Sequence, residues 1–264
     1  MEREHPARLA GGTPAVPGGR LTPFPHRRQG IGVITVASYN IRKAIGTDRL
    51  RRPERTLEVL CEIDADVVAL QEADRRFGAR TSAIPPEMIE RCTPLKPVDY
   101  DIRPDGIGWH GNALLVDKEA EVLDQRALDL PTLEPRGAVV ADLELRGAVF
   151  RVVGMHLDLS GVYRRKQARA IMEALDGMVP LPTVLMGDCN EWRHVGSCHL
   201  DFGHRYRMLH TGKSFHSRRP VAPLDRIMIS PEVHADGAGV HHSARARRAS
   251  DHLPVWARLS FPTA

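Results

Sequence analysis

The 264 residues include only four cysteines, 5% aromatic residues and no long apolar run. Each shortage excludes something. Cys61, Cys92, Cys189 and Cys198 make neither a close CxxC pair nor an even spacing, so a disulfide framework is excluded and free thiols in a reducing compartment are expected. No segment approaches the roughly 18 apolar residues of a membrane span, and Met1-Glu2-Arg3-Glu4 leads into no apolar stretch of signal-peptide length, so the expected location is cytoplasmic. Few aromatics interleave with the basic residues, so no stacking platform for single-stranded nucleic acid is legible. Neither sign of charge is scarce: Lys+Arg 37 against Asp+Glu 33 leaves +4, a balance that suits an anionic partner and equally an ordinary solvated surface.

Residues 1–30 carry Pro6, Pro14, Pro17, Pro23 and Pro25 among glycines, a composition that cannot bury enough apolar surface to offset ordering. They read as a disordered basic tail, or as a start placed too early; Arg27 and Arg28 could touch nucleic acid or acidic lipid. Residues 31–264 suffice for one large domain. Val33-Ile34-Thr35-Val36-Ala37 predicts a buried strand ending in Ser38-Tyr39-Asn40. Pro53 and the spacing of Leu57, Leu60 and Cys61 predict a core-facing helix over 53–63, and Val67 to Leu70 a second strand ending in Gln71-Glu72. Residues 75–103 read as loop with one short helix near 87–91. Gly111-Asn112 opens a strand over 113–116, and strands at 138–145 and 148–154 flank the two-residue link Arg146-Gly147, the second leading into His156. Ala168, Ile171, Met172 and Leu175 place an amphipathic helix over 162–178, before the strand 183–186 that delivers Gly187-Asp188-Cys189-Asn190. Two further strands, 224–230 and 254–259, are entered by Asp225-Arg226 and preceded by Ser250-Asp251-His252.

The order strand, polar end, helix, strand, polar end thus occurs twice. Two βαβ-like halves with added hairpin strands predict two packed sheets with helices outside and the polar ends at one edge. The groups so gathered are Asn40, Glu72, Asn112, His156, Asp188, Asn190, Asp225, Asp251 and His252. Oxygen donors of this kind suit a hard cation such as Mg²⁺ that keeps waters and substrate phosphate oxygens, and an imidazole beside them suits an anionic transition state, so the set points to phosphoester chemistry.

The motifs Ser38-Tyr39-Asn40, Leu70-Gln71-Glu72, Gly111-Asn112, Met155-His156-Leu157, Gly187-Asp188-Cys189-Asn190, Leu224-Asp225-Arg226 and Ser250-Asp251-His252 together resemble the endonuclease/exonuclease/phosphatase superfamily, in its order, over about 33–261. The resemblance implies a deoxyribonuclease I-like four-layer α/β sandwich, two packed mixed β-sheets flanked by helices, and a Mg²⁺-dependent (or Mn²⁺-dependent) phosphodiesterase. It makes Glu72 the principal metal ligand, with Asn40 and Asp251 on the metal side, and Asp188 the group that activates water. Asn190 would hold a phosphate oxygen, His252 oriented by Asp225 would stabilise the phosphoryl oxygens, His156 would contact the phosphate or help the leaving oxygen, and Asn112 would line the cleft. Arg164 and Arg165, with Lys166, are further candidates for phosphate contact or a solvated helix face. Nucleic acid is the leading substrate, with a phospholipid or small phosphorylated metabolite as alternative and a non-catalytic binding protein as the rival class.

Arg42 stands where some DNA-repair members carry an acid, which bears on any second metal site, and Met155 and Cys189 replace other residue types without removing a donor. A zinc alternative rests on His194, Cys198, His199, His204 and His210, whose spacing matches no standard module.

Overall fold

Apolar runs without alternation become central parallel strands, because such strands are covered on both faces. In the computed structural model, which describes residues 32–75, 81–102, 106–193 and 197–262, β1 (Val33–Asn40) lies parallel to β2 (Val67–Gln71) and antiparallel to β12 (Val255–Ser260). The crossover between β1 and β2 is α1 (Pro53–Ile63), which starts on proline and ends where Asp64 turns left-handed and returns its N–H to the Leu60 carbonyl. The expected tail, 1–30, lies outside the described residues.

β4 (Ala113–Asp117), β3 (Leu95–Pro97) and β11 (His234–Val240) complete the first sheet in the order β11-β12-β1-β2-β4-β3. The second sheet contains β5 (Glu121–Asp129), β6 (Gly137–Leu145), β7 (Ala148–His156), β8 (Thr183–Asp188), β9 (Arg207–Met208) and β10 (Asp225–Ile229), in the order β5-β6-β7-β8-β10-β9. Its β7 and β8 are again parallel, joined through α3 (Gly161–Asp176). Place for place, the two sheets share one plan. Arg146 and Gly147, both at positive φ, form the tight link between β6 and β7.

The inner faces meet in one core: Ile34, Val36, Val67, Ala69 and Leu114 oppose Val139, Ala141, Val152, Val184 and Met186. Gly154 permits the close approach, since a Cβ there would lie 3.1 Å from Leu114 Cδ2 and 3.3 Å from Ala69 Cβ. On the outer faces, α1, α2 (Pro86–Cys92) and α5 (Ala246–Ala249) cover the first sheet, and α3 with α4 (Ser197–Gly203) covers the second. The result is the four-layer α/β sandwich expected. Four strands were not foreseen, β3, β5, β9 and β11, the first within the segment read as loop with one short helix. All four are edge strands: β3 and β9 span three and two residues, β5 is largely exposed and polar, and β11 is glycine-containing and bulged between Ala235 and Gly237, so none carries the apolar signal of a covered strand. All four cysteines are free, and no described helix is long and apolar enough to cross a membrane.

Candidate active site

Parallel strands bring their C-terminal ends to one rim, and the polar residues after β1, β2, β7 and β8 meet there. Asp188, almost wholly buried, is the hub. Its Oδ2 accepts from Asn40 Nδ2 at 3.0 Å and lies 3.4 Å from His156 Nε2 and 3.7 Å from His252 Nε2, while its Oδ1 accepts the Asn190 N–H at 2.9 Å. The register explains the glycine before it: Gly187 lies opposite Met155, and a Cβ at 187 would fall 1.9 Å from the Met155 carbonyl oxygen.

His252 is held from behind. Its Nδ1 donates to Asp225 Oδ2 at 2.8 Å, and the same oxygen accepts from Ser214 Oγ at 2.5 Å. Burial opposes the charged imidazole, but the Asp225 and Asp188 carboxylates outweigh it and lift His252 to about 10. Burial pushes Asp188 up to about 6, with His252 pulling the other way and Asp225 adding to the rise.

Glu72 follows β2, the strand of the first sheet that corresponds to β8, one position beyond the residue in register with Asn40; 27% of its side chain is exposed, and it contacts the Lys43 ammonium. Burial would raise its pKa, but the Lys43 hydrogen bond and charge, followed by Arg136 and His252, hold it below the usual value. Arg42 Nε lies 3.5 Å from Asp251 Oδ2. The backbone that aims these cations is strained: Arg42, Lys43 and Ala44 all have positive φ, as do Glu72 and Asn190. Hydrogen bonds compensate, the Ile41 and Lys43 N–H groups donating to the Gln71 and Glu72 carbonyls at 3.0 Å.

Two groupings could take a cation. Ligand atoms of Asp188, Asp225 and His252 lie within 4.8 Å of one another, but an imidazole raised to about 10 already places positive charge between both carboxylates. Glu72 and Asp251 are partly open carboxylates that already draw the Lys43 and Arg42 cations, and with the buried Asn40 they offer oxygens of the kind a hard cation takes. Asn40 Oδ1 accepts the Arg42 N–H at 3.1 Å, and a carbonyl oxygen keeps a second lone pair.

The other expected site residues are placed differently. Asn112 is buried, with Nδ2 donating to the Gly137 carbonyl at 2.9 Å, so its amide braces the strand entry. Arg164 is buried inside the fold: it pairs with Glu191 at 3.1 Å and donates to the Leu159 carbonyl at 2.6 Å. Arg165 reaches Asp201 of α4 at 3.5 Å. Helical spacing turned these two arginines toward internal and helix–helix partners. Of the histidine- and cysteine-rich stretch, His194 lies outside the described residues, and no zinc-like grouping forms among the rest that are described.

Sequence reading missed Lys43, Arg136 and Ser214, together with Phe215, whose ring lies 4.9 Å from that of His252. Arg136 Nη1 lies 2.6 and 2.5 Å from the two ring nitrogens of His156, 20 residues away in sequence. No local motif announces such contacts; only the positive charge of Arg42-Lys43 after the Asn40 motif could have drawn notice.

A family model described as the endonuclease/exonuclease/phosphatase family matches residues 37–252. Similar solved structures include an endonuclease/exonuclease/phosphatase from Bacteroides vulgatus (20% identity, 87% of this chain and 99% of that chain, TM-score 0.68). A mannosyl-6-phosphatase from Bacteroides thetaiotaomicron is comparable (20%, 86% and 100%, 0.67), as is D. rerio TDP2 complexed with a single-strand DNA product (17%, 86% and 99%, 0.65). At these identities the likeness is one of fold. No curated protein matches the sequence significantly.

Proposed function

Because the chain belongs to the endonuclease/exonuclease/phosphatase family, whose members are hydrolytic phosphoesterases, we propose that it is a divalent-metal-dependent phosphodiesterase acting on nucleic acid by direct attack of water. The observation that carries this reading is the arrangement of Asp188: a buried carboxylate lifted to about 6 and facing two histidines, beside a second carboxylate, Glu72, held in its charged form. Environments that push two carboxylates apart assign them different work.

Asp188, near neutrality, takes the proton of the attacking water, and Asn40 and the Asn190 N–H keep its oxygens aimed. Asn190 donates one amide hydrogen to the Leu157 carbonyl at 2.9 Å and has a second for a phosphoryl oxygen. His252, protonated and braced by Asp225 and Ser214, faces the charge that develops on the phosphoryl group. His156, against Arg136, serves the leaving oxygen. Glu72, with Asn40 and Asp251, would hold the metal, which when bound supplies charge stabilisation to phosphate oxygens.

Hydrolysis of bis-p-nitrophenyl phosphate and of plasmid DNA with Mg²⁺ or Mn²⁺, with and without EDTA, tests the proposal. Metal-dependent product is expected. Its absence on both substrates and on a panel of RNA, phospholipids and inositol phosphates would favour a binding protein.

A further inference from the structure

Trp192 is the one aromatic among the large exposed apolar side chains of the described residues, at 58% exposure. It follows Asn190 by two positions and stands at the mouth of the site. Its ring meets that of Phe215 edge to face, with centroids 5.8 Å apart and an interplanar angle of 81°, and Phe215 in turn lies against His252 at 4.9 Å. The three rings form a line from solvent to the imidazole proposed to face the phosphoryl group. The other two tryptophans are placed otherwise: Trp109 and Trp256 are half-buried and pack over Gly137 and Gly239.

The position of Trp192 is fixed from below. Glu191 is buried, its Oε2 paired with Arg164 at 3.1 Å and its Oε1 accepting the Arg193 N–H at 3.1 Å, so the backbone on both sides of Trp192 is tied to the domain. A large ring on a backbone tied on both sides, mostly exposed and contacted edge to face, keeps a π-face available for binding. The exposed residues beside the ring line are cationic, Arg193 next to Trp192 and Arg218 and Arg219 beyond His216, which complements a polyanionic strand.

We propose that Trp192 is a specificity-determining residue that stacks a nucleobase next to the scissile phosphate, so that the substrate is a nucleotide-bearing phosphoester rather than a sugar phosphate or a lipid. The inference rests on the phosphoesterase reading above and names its substrate class. Stacking on an aromatic side chain is sequence-tolerant, since every base has a π-face, so little base specificity is expected.

The probes are adenosine 5′-monophosphate and ribose 5-phosphate, which share the phosphate and differ in the base. In the presence of Mg²⁺, binding is followed by tryptophan fluorescence and calorimetry. The monophosphate should bind on the order of tenfold more tightly than the sugar phosphate, as one base-stacking contact predicts. Trp192→Ala should abolish that preference, Trp192→Phe should retain most of it, and Trp192→Leu, apolar but without a π-system, should not. On a short oligonucleotide, Trp192→Ala should raise KM with little change in kcat. Equal binding of the two probes by the unsubstituted protein, or a preference that survives Trp192→Ala, would overturn the inference. So would Trp192-dependent sedimentation with phosphatidylserine vesicles in place of a base preference, which would make the ring a lipid contact.

Hydrolysis of bis-p-nitrophenyl phosphate, with Asp188→Asn as control, separates the two failures. Hydrolysis without a base preference sinks the stacking role and leaves the phosphoesterase. A Trp192-dependent preference without any hydrolysis leaves the stacking site and sinks the phosphoesterase.

Discussion

The two sheets follow one strand plan, yet the carboxylates at the ends of corresponding strands live in opposite surroundings. Glu72, after β2, is partly open, faces a lysine and is held in its charged form below the usual range. Asp188, at the end of β8, is buried among two histidines and two asparagines and is raised to about 6. A shared architecture therefore yields one carboxyl held below its ordinary pKa and one held above it; in the proposed mechanism the first attracts a cation and the second exchanges a proton. The duplication supplies positions, and local burial and charge divide the labour between them.

The strongest test of that division is to remove the proton acceptor. Asp188→Asn should lower kcat at least about a thousandfold, within the range a general base contributes, while far-UV circular dichroism and Mn²⁺ affinity are retained; His252→Ala should likewise abolish turnover. Residual activity near that of the unsubstituted protein in either variant would end the assignment. Glu72→Gln should do the reverse, weakening Mn²⁺ binding by about a hundredfold or more in calorimetry, beyond what loss of an outer supporting group costs. If both carboxylates alter metal affinity alike, the halves are not divided as described.

A Gly187→Ala substitution probes the plan itself, since the added methyl meets the Met155 carbonyl; unfolding in urea should report a loss of about 1–3 kcal/mol or more. The pH profile is a subtler test. kcat/KM should rise as Asp188 ionises through about 6 and fall as His252 deprotonates through about 10. Stability follows with its own signs. His252, raised above its free value of 6.5, contributes fully below 6.5 and loses its contribution as pH climbs to about 10. Asp188, raised from 3.8, disfavours its charged form in the fold, so it subtracts stability as pH rises from 3.8 to about 6. The smallest effect is expected from Lys43→Met, which frees Glu72 of a partly exposed ion pair and should tighten Mn²⁺ binding by no more than about fivefold.

The parts legible from sequence are those that one segment determines alone. β1, α1, β2, α3 and β8 carry their own periodicity or apolar run, and the residues at their ends, Asn40, Glu72, His156 and Asp188, inherit a location from the strand before them. β3, β5, β9 and β11 were illegible because an edge strand can be short and needs no apolar face of its own. The line of rings was illegible for a different reason: Trp192 and Phe215 are 23 positions apart and meet where the segment carrying Ser214 is hydrogen-bonded to Asp225 and Phe215 bridges to His252. For the same reason Arg164, which reads as an available cation, proves to be the buried brace of Glu191.

Those edge strands have a consequence for the molecule among its neighbours. Each sheet ends in two strands whose backbone could accept another chain, and each end is made unfit to do so. β3 spans three residues and closes on Pro97, β9 spans two, β11 is broken by its bulge, and β5 sets Glu121, Asp124, Arg126 and Asp129 along its exposed length. Such edges are poor templates for strand addition. The sandwich is therefore guarded against growing sideways into ribbons.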